Sequence, residues 1–142
     1  MRGSLNRLRP GALEGRTLKD ALEKMIREYQ TLSNLQVDLH YEWVDVDMDV
    51  MIEDTIFRVI QESMTNAVRH GHASQMSLHF FENEEDYLIE LQDNGVGFET
   101  LTYGYGLKQM MERISILGGQ LQFESRDGFF TRISLPKYKE GR

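Results

Sequence analysis

Apolar residues recur with two different spacings along this chain, and the spacing assigns most segments to helices or strands. Helical spacing predicts three helices: about Leu18 to Leu32, about Asp49 to His72, and Leu107 to Leu117 with a stop at Gly118-Gly119. Thr17 followed by Asp20 forms a candidate capping box for the first helix.

Alternating apolar and polar residues predict five strands. They are Val37 to about Trp43, a hairpin of Met76 to Phe80 and Leu88 to Leu91 around the polar turn 82–86, and a final pair, Gln120 to Ser125 and Phe129 to Leu135, around Arg126-Asp127-Gly128. The order of elements predicts an α/β class fold, a two-layer α/β sandwich with three helices on one face of a mixed sheet.

Composition and charge narrow the functional classes. The 142 residues, 40% hydrophobic and 27% charged, fit one globular domain. The absence of cysteine and of an apolar stretch long enough to span a membrane favours a cytoplasmic location without direct membrane contact. The net charge of -7 argues against a nucleic-acid partner. Residues 1–4 resemble a leader added for expression.

A first cluster of candidate site residues lies on the second predicted helix. Glu62, Asn66, Arg69 and His70 fall within about a 100° sector on one flank of its apolar stripe. A carboxylate, an amide oxygen and a guanidinium there could bind Mg²⁺ and phosphate. The alternative is a solvated polar flank, which the spacing alone favours.

A second cluster, Asp93-Asn94-Gly95-Val96-Gly97-Phe98, directly follows a predicted strand. Its glycines allow a flat ligand to approach the backbone, and a carboxylate at the strand end could accept a hydrogen bond from the exocyclic amine of adenine. Asp-Asn-Gly also suits a plain hairpin turn, and the residues alone leave the two interpretations equal.

A third cluster, Gly104-Tyr105-Gly106-Leu107, stands at the start of the third predicted helix. Free backbone amides and the helix dipole make such a start an anion site, to which Lys108 could add positive charge. The chain contains neither a GxxxxGK[ST] P-loop nor a GxGxxG fingerprint. Any bound nucleotide must therefore be held without those devices.

In this order the three clusters resemble the N, G1 and G2 boxes of the ATP-binding domain of histidine kinases (HATPase_c, the Bergerat or GHKL fold), in the superfamily shared with gyrase and the heat-shock chaperone ATPase. Met111-Glu112-Arg113 with Leu117-Gly118-Gly119, and Leu8-Arg9-Pro10, resemble the branch that pairs with helix-turn-helix response regulators. The resemblance spans Leu5 to Pro136, and it implies that 5–16 is the remnant of a linker from dimerisation helices and 17–142 the catalytic domain.

The resemblance also implies a role for each site residue. The catalytic residues would be Asn66, which would bind Mg²⁺, and Glu62, the acidic residue near the γ-phosphate. Glu62 would orient or accept a proton and would reach the metal through water. Asp93 would recognise the adenine amine, with Thr131 on the adenine side through water. The remaining ATP-binding positions would be Arg69 and His70 at the phosphates, Gly95 and Gly97 in the base pocket, and Gly104, Gly106, Leu107 and Lys108 at the lid.

One turn departs from the family's Gly-x-Gly-Thr pattern. The chain has Gly128-Phe129-Phe130-Thr131, so a bulky ring stands where the second glycine is usual. This departure is the main support for one alternative, a degenerate, nucleotide-free interaction module. The other alternative is an anti-sigma-type serine kinase, which has the same boxes.

The function that the resemblance implies is binding of Mg-ATP and delivery of the γ-phosphate to a histidine on a separate dimerisation helix, for onward transfer to a response regulator. None of the four histidines, His40, His70, His72 and His79, resembles that acceptor. We therefore expect no appreciable autophosphorylation by this chain alone. We also expect it to be a monomer.

Overall fold

The computed structural model describes residues 13, 15–44, 46–96 and 105–137, without the side chains of 105 and 106. Its helices are α1 (Leu18–Leu32), α2 (Val50–Arg69) and α3 (Tyr105–Ile116). Its strands are β1 (Gln36–Tyr41), β2 (Gln75–Glu82), β3 (Asp86–Asp93), β4 (Gln120–Ser125) and β5 (Phe129–Pro136). The predicted order of elements is confirmed.

The predicted end of α2 near His72 is wrong. The helix ends at Arg69, where the carbonyl oxygen of Asn66 accepts the N–H groups of both His70 and Gly71. His72 then has a φ of 51°, a left-handed conformation that cannot continue a right-handed helix. At the other end Asp49 caps the helix, because its side chain accepts the N–H of Met51 at 2.8 Å.

The five strands form one sheet in the order β1-β2-β3-β5-β4. β1 runs parallel to β2, since α2 carries the chain back between them, and the other neighbours are antiparallel. The sheet is therefore mixed, as predicted.

All three helices contribute to a single hydrophobic core with one face of the sheet. Ile56, Val59, Ile60 and Met64 are buried on α2 at the spacing of one helical face, over the buried β2 and β3 residues Leu78, Phe80, Ile89 and Leu91. The other, outer face carries polar and charged side chains, including the ion pair of Arg132 with Glu90. No helix in the described ranges is long and apolar enough to cross a membrane.

Candidate functional site

The site is built where the last turn of α2 meets the end of β3. The N–H of Val96 donates to the carbonyl oxygen of Gly71 at 3.0 Å. A Cβ placed on Gly95 would lie 2.5 Å from the same oxygen, so the contact is possible only for glycine. The first and second clusters of the sequence are therefore neighbours in the fold.

Asp93 is a buried carboxylate at the end of β3, with 5% of its surface exposed. Its Oδ1 accepts the N–H of Gly95 at 2.8 Å and the N–H of Phe129 at 3.1 Å. Among the described residues Oδ2 has no hydrogen-bond partner. Two backbone donors thus fix the orientation of the carboxylate and leave its second oxygen for a ligand, because a buried polar atom normally requires a partner.

Gly128 brings the β4–β5 turn against Asp93. It has a φ of 134°, and a Cβ there would lie 2.0 Å from the carbonyl oxygen of Asp93. This first glycine of the Gly128-Phe129-Phe130-Thr131 run is thus required by both conformation and space.

Phe130 and Thr131 point to opposite faces of the sheet, as neighbours in a strand do. Thr131 is 4% exposed and pairs with Leu91 on the helix-facing side, the side that also holds Asp93. Phe130 lies on the outer face, where the Arg126 guanidinium is 3.9 Å from its ring centre. The ring that replaces the second glycine therefore does not enter the space beside Asp93.

Asn94 has a structural role that the sequence did not indicate beyond a turn. Its Oδ1 accepts the N–H groups of Ser74 and Gln75, each at 2.9 Å, and its Nδ2 donates to Ser74 Oγ at 3.0 Å. One side chain thereby ties the start of β2 to the end of β3. An Asn directly after a strand is the signal that could have suggested this bridge, since Asn side chains often bond nearby backbone groups.

The α2 candidates divide into two pairs by exposure. Glu62 and Asn66 are half-buried, whereas Arg69 and His70 are exposed. Within the described part of the chain, none of these four side chains makes a hydrogen bond or ion pair. No described hydrogen bond or ion pair within the protein therefore competes with a ligand for these four side chains.

The third cluster is only partly described. Gly104 lies outside the described residues, as does Gly97 of the second cluster, and Gly106 belongs to the first turn of α3. Leu107 packs against the hydrophobic core, and Lys108 is exposed beside it. The described residues place no three His, Cys, Asp or Glu side chains together as a metal site.

Comparison with known proteins agrees with this fold. The family model "Histidine kinase-, DNA gyrase B-, and HSP90-like ATPase" matches residues 51–139. The match begins at α2 and includes Asp93 and Thr131. The chain therefore belongs to this family of ATPases.

Curated relatives narrow the class within that family. The signal transduction histidine-protein kinase/phosphatase UhpB of Salmonella typhimurium is 34% identical over 96% of this chain and 28% of its own length. The sensor histidine kinase LiaS of Bacillus subtilis is 32% identical over 95% of this chain and 38% of its own. The chain thus corresponds to the ATP-binding domain of sensor histidine kinases, and spans well under half of these relatives.

Solved structures show the same fold. The histidine kinase AdeS of Acinetobacter baumannii superposes with a TM-score of 0.74 at 20% identity, over 85% of this chain and 65% of that one. The histidine kinase domain of the blue-light activated kinase of Erythrobacter litoralis EL346 gives 0.71 at 19% identity, over 84% and 60%.

Proposed function

We propose that this chain binds Mg-ATP and delivers the γ-phosphate to a histidine on a separate dimerisation helix, from which a response regulator receives it. The parent protein would be a membrane-bound sensor with this domain on its cytoplasmic side. The proposal rests on membership of the ATPase family, on relatives that are sensor kinases, and on the geometry around Asp93.

The observation that carries the proposal is the half-satisfied carboxylate of Asp93. With Oδ1 held by two backbone N–H groups, Oδ2 is the acceptor for a donor on a ligand. The exocyclic amine of adenine is such a donor, whereas guanine carries a carbonyl oxygen at that position and would be repelled. Thr131, buried on the same face, would contact the adenine side through water.

Phosphate and metal would be bound along α2 and at the start of α3. Asn66 offers an amide oxygen to Mg²⁺, and Glu62 lies one turn away to act through water. Arg69, His70 and Lys108 would face the phosphates, with Gly104 and Gly106 in the lid, while Gly97 would line the base pocket. Mg²⁺ usually takes one or two protein ligands and completes its shell with phosphate oxygens and water, which suits a site with few carboxylates. When bound, the metal would neutralise charge on the phosphates.

The two alternative functions have less support. Phe130 was the reason to consider a nucleotide-free interaction module, and its ring packs under Arg126 on the outer face of the sheet. A serine kinase would share the boxes, but the curated relatives described above are sensor kinases. Phosphorylation of an anti-sigma antagonist protein instead of a histidine would favour that second alternative.

Calorimetric titration of ADP and ATP with Mg²⁺, beside GTP and an Asp93→Asn variant, tests the proposal. We expect adenine nucleotides to bind, GTP to bind far more weakly, and the variant to lose about 10- to 100-fold in ADP affinity, because its amide would present a donor to the adenine amine. Equal affinity for ADP and GTP, or an unaffected variant, would contradict the role of Asp93.

Phosphotransfer is tested separately. With γ-labelled ATP, the domain alone should acquire negligible label, and addition of a fragment carrying the parent's acceptor helix should give a labelled histidine on that fragment. Rapid labelling of the domain alone would show that the acceptor lies in this chain.

A further inference from the structure

A hydrogen-bonded bridge lies on the outer face of the sheet, directly behind Asp93. Gln92 precedes Asp93 in β3, and its side chain therefore points away from the helices. The amide Nε2 of Gln92 donates to the carbonyl oxygen of Asp93 at 2.8 Å and to that of Arg126 at 3.0 Å. A single side-chain amide thus joins the end of β3 to the β4–β5 turn.

The turn that Gln92 holds is short and closely packed. The N–H of Arg126 donates to the carbonyl oxygen of Gly128 at 2.9 Å, which closes the turn. The Arg126 side chain lies over Phe130 and pairs with Glu124 at 2.7 Å. Because Phe129 directly follows Gly128, a displacement of this turn also displaces the N–H that Phe129 donates to Asp93.

Without the amide of Gln92, the carbonyl oxygens of Asp93 and Arg126 would lie near each other as two acceptors with no donor between them. Such an arrangement is unfavourable until water enters or the turn moves away. The Phe129 N–H lies 3.1 Å from Asp93 Oδ1, against 2.8 Å for Gly95, so it is the longer of the two bonds that orient the carboxylate. A movement of the turn would therefore lengthen or break this hydrogen bond before the one from Gly95.

We infer that Gln92 is a positioning residue for adenine recognition. It holds the β4–β5 turn from the outer face so that Phe129 can donate to Oδ1 of Asp93 and Oδ2 is aimed at the base. The inference rests on the proposed function, and adds to it a specificity-determining side chain that does not touch the nucleotide. Phe130, packed under Arg126, supports the same turn from the same face.

The outer face has room for substitutions at this position. A cleft of about 360 Å³ is lined by Gln92 together with Asp38, Ser77, Arg126 and Asp127, among others. A side chain of similar size at position 92 can therefore be accommodated without disturbing the core. Gln122, an exposed residue of β4 on the same face, offers a matched control for the same changes.

The test compares Gln92→Met, Gln92→Glu and the control Gln122→Met by calorimetry with two ligands. One is ADP, and the other is purine riboside diphosphate, which lacks the 6-amino group. We expect Gln92→Met to lower ADP affinity by about tenfold, the loss that one or two neutral hydrogen bonds represent, with little change for the second ligand. Gln92→Glu should lose more, because it places a third acceptor beside two carbonyl oxygens.

A measurement without nucleotide separates this inference from the proposed function. Amide hydrogen exchange of Phe129 should become about tenfold faster in Gln92→Met and stay unchanged in Gln122→Met, because the Phe129 N–H loses its bond to Asp93. Wild-type protein that binds neither ligand would overturn the proposed function, while the exchange rate would still report whether Gln92 holds the turn. Unchanged Phe129 exchange, or equal losses for both ligands, would overturn the inference.

Discussion

At the scale of single residues, two glycines with positive φ angles differ in what surrounds them. Gly128 lies against the carbonyl oxygen of Asp93, which a Cβ would approach to 2.0 Å. Gly118 has a φ of 81°, but the nearest atom to a Cβ there is a ring carbon of Pro136 at 3.9 Å. Alanine substitutions at these two glycines therefore distinguish the free-energy cost of a positive φ from the additional cost of a steric clash.

We expect Gly128→Ala to lower the free energy of unfolding by about 3 kcal/mol, from backbone strain and overpacking together. Gly118→Ala should cost about 1 kcal/mol, from conformation alone. Urea unfolding followed by the fluorescence of Trp43, the single tryptophan, measures both. Equal losses in the two variants would show that the contact with Asp93 contributes nothing.

Two substitutions of Asn94 distinguish the contribution of its Oδ1 acceptor to stability from that of its Nδ2 donor. Asn94→Ala removes the acceptor of two N–H groups, and we expect a loss of about 2 kcal/mol in the free energy of unfolding. Asn94→Asp keeps the acceptor and replaces the Nδ2 donor by a carboxylate oxygen, to which the Ser74 hydroxyl can donate instead, so its loss should be below about 1 kcal/mol. The same unfolding measurement tests both values. A larger loss in Asn94→Asp than in Asn94→Ala would contradict the bridging role.

At the scale of elements, the first turn of α2 carries Glu53, a carboxylate whose charged form is disfavoured by partial burial. Burial, with a smaller contribution from the negative charge of Asp47, raises the pKa of Glu53. Burial chiefly, and then the charge of Glu53, raises the pKa of Tyr41 in β1 to about 12. The junction of β1 and α2 therefore favours the neutral forms of both groups.

The raised pKa of Glu53 fixes the sign of a pH dependence. The folded state holds this proton at pH values where the unfolded state has released it, so stability falls as pH rises from the unfolded pKa through the folded pKa. We expect Glu53→Gln to be more stable than wild type at neutral pH, with the difference vanishing below about pH 4, where both side chains are neutral. Unfolding free energies measured at several pH values test this. A difference that stays constant with pH would exclude an ionisation effect.

The helix ends also show how far element boundaries follow from sequence. The spacing of apolar residues predicted α1 with the observed bounds, and Thr17 caps it by accepting the N–H of Asp20. The end of α2 was predicted three residues too late, because polar Arg69, His70 and His72 are compatible with a helical flank. Beyond the helix end Gly71 makes tertiary contacts that the spacing of apolar residues does not reveal: its carbonyl oxygen accepts the N–H of Val96 and lies against Gly95.

At the scale of the whole molecule, the polar outer face of the sheet opposes association between copies of this chain. It carries the ion pair between Arg132 and Glu90 and a hydrogen bond between His79 and Glu42. The edge strand β1 has Asp38 pointing outward, and charged side chains at sheet edges oppose edge-to-edge pairing. We expect a monomer of 16.6 kDa by light scattering over a wide concentration range. A mass twice that value at micromolar concentration would contradict this expectation.

The sequence by itself determined the class of fold and the identity of the candidate site residues. Apolar spacing depends only on local geometry, so it predicted three helices and five strands in the observed order. The boxes around Asn66 and Asp93 are short contiguous motifs, so they too could be found without a structure. The same sequence, with Phe130 where the family has a glycine, left the conformation of the β4–β5 turn and the placement of Thr131 open.

Only the tertiary structure decided how these pieces act together. Strand pairing set the face on which each side chain of β5 lies, and so turned Phe130 outward and Thr131 inward. The donors to Asp93 Oδ1 come from Gly95, two residues away, and from Phe129, 36 residues away. The bridges made by Gln92 and Asn94 likewise join distant segments. Such contacts depend on register and close approach, which periodicity in one segment cannot specify.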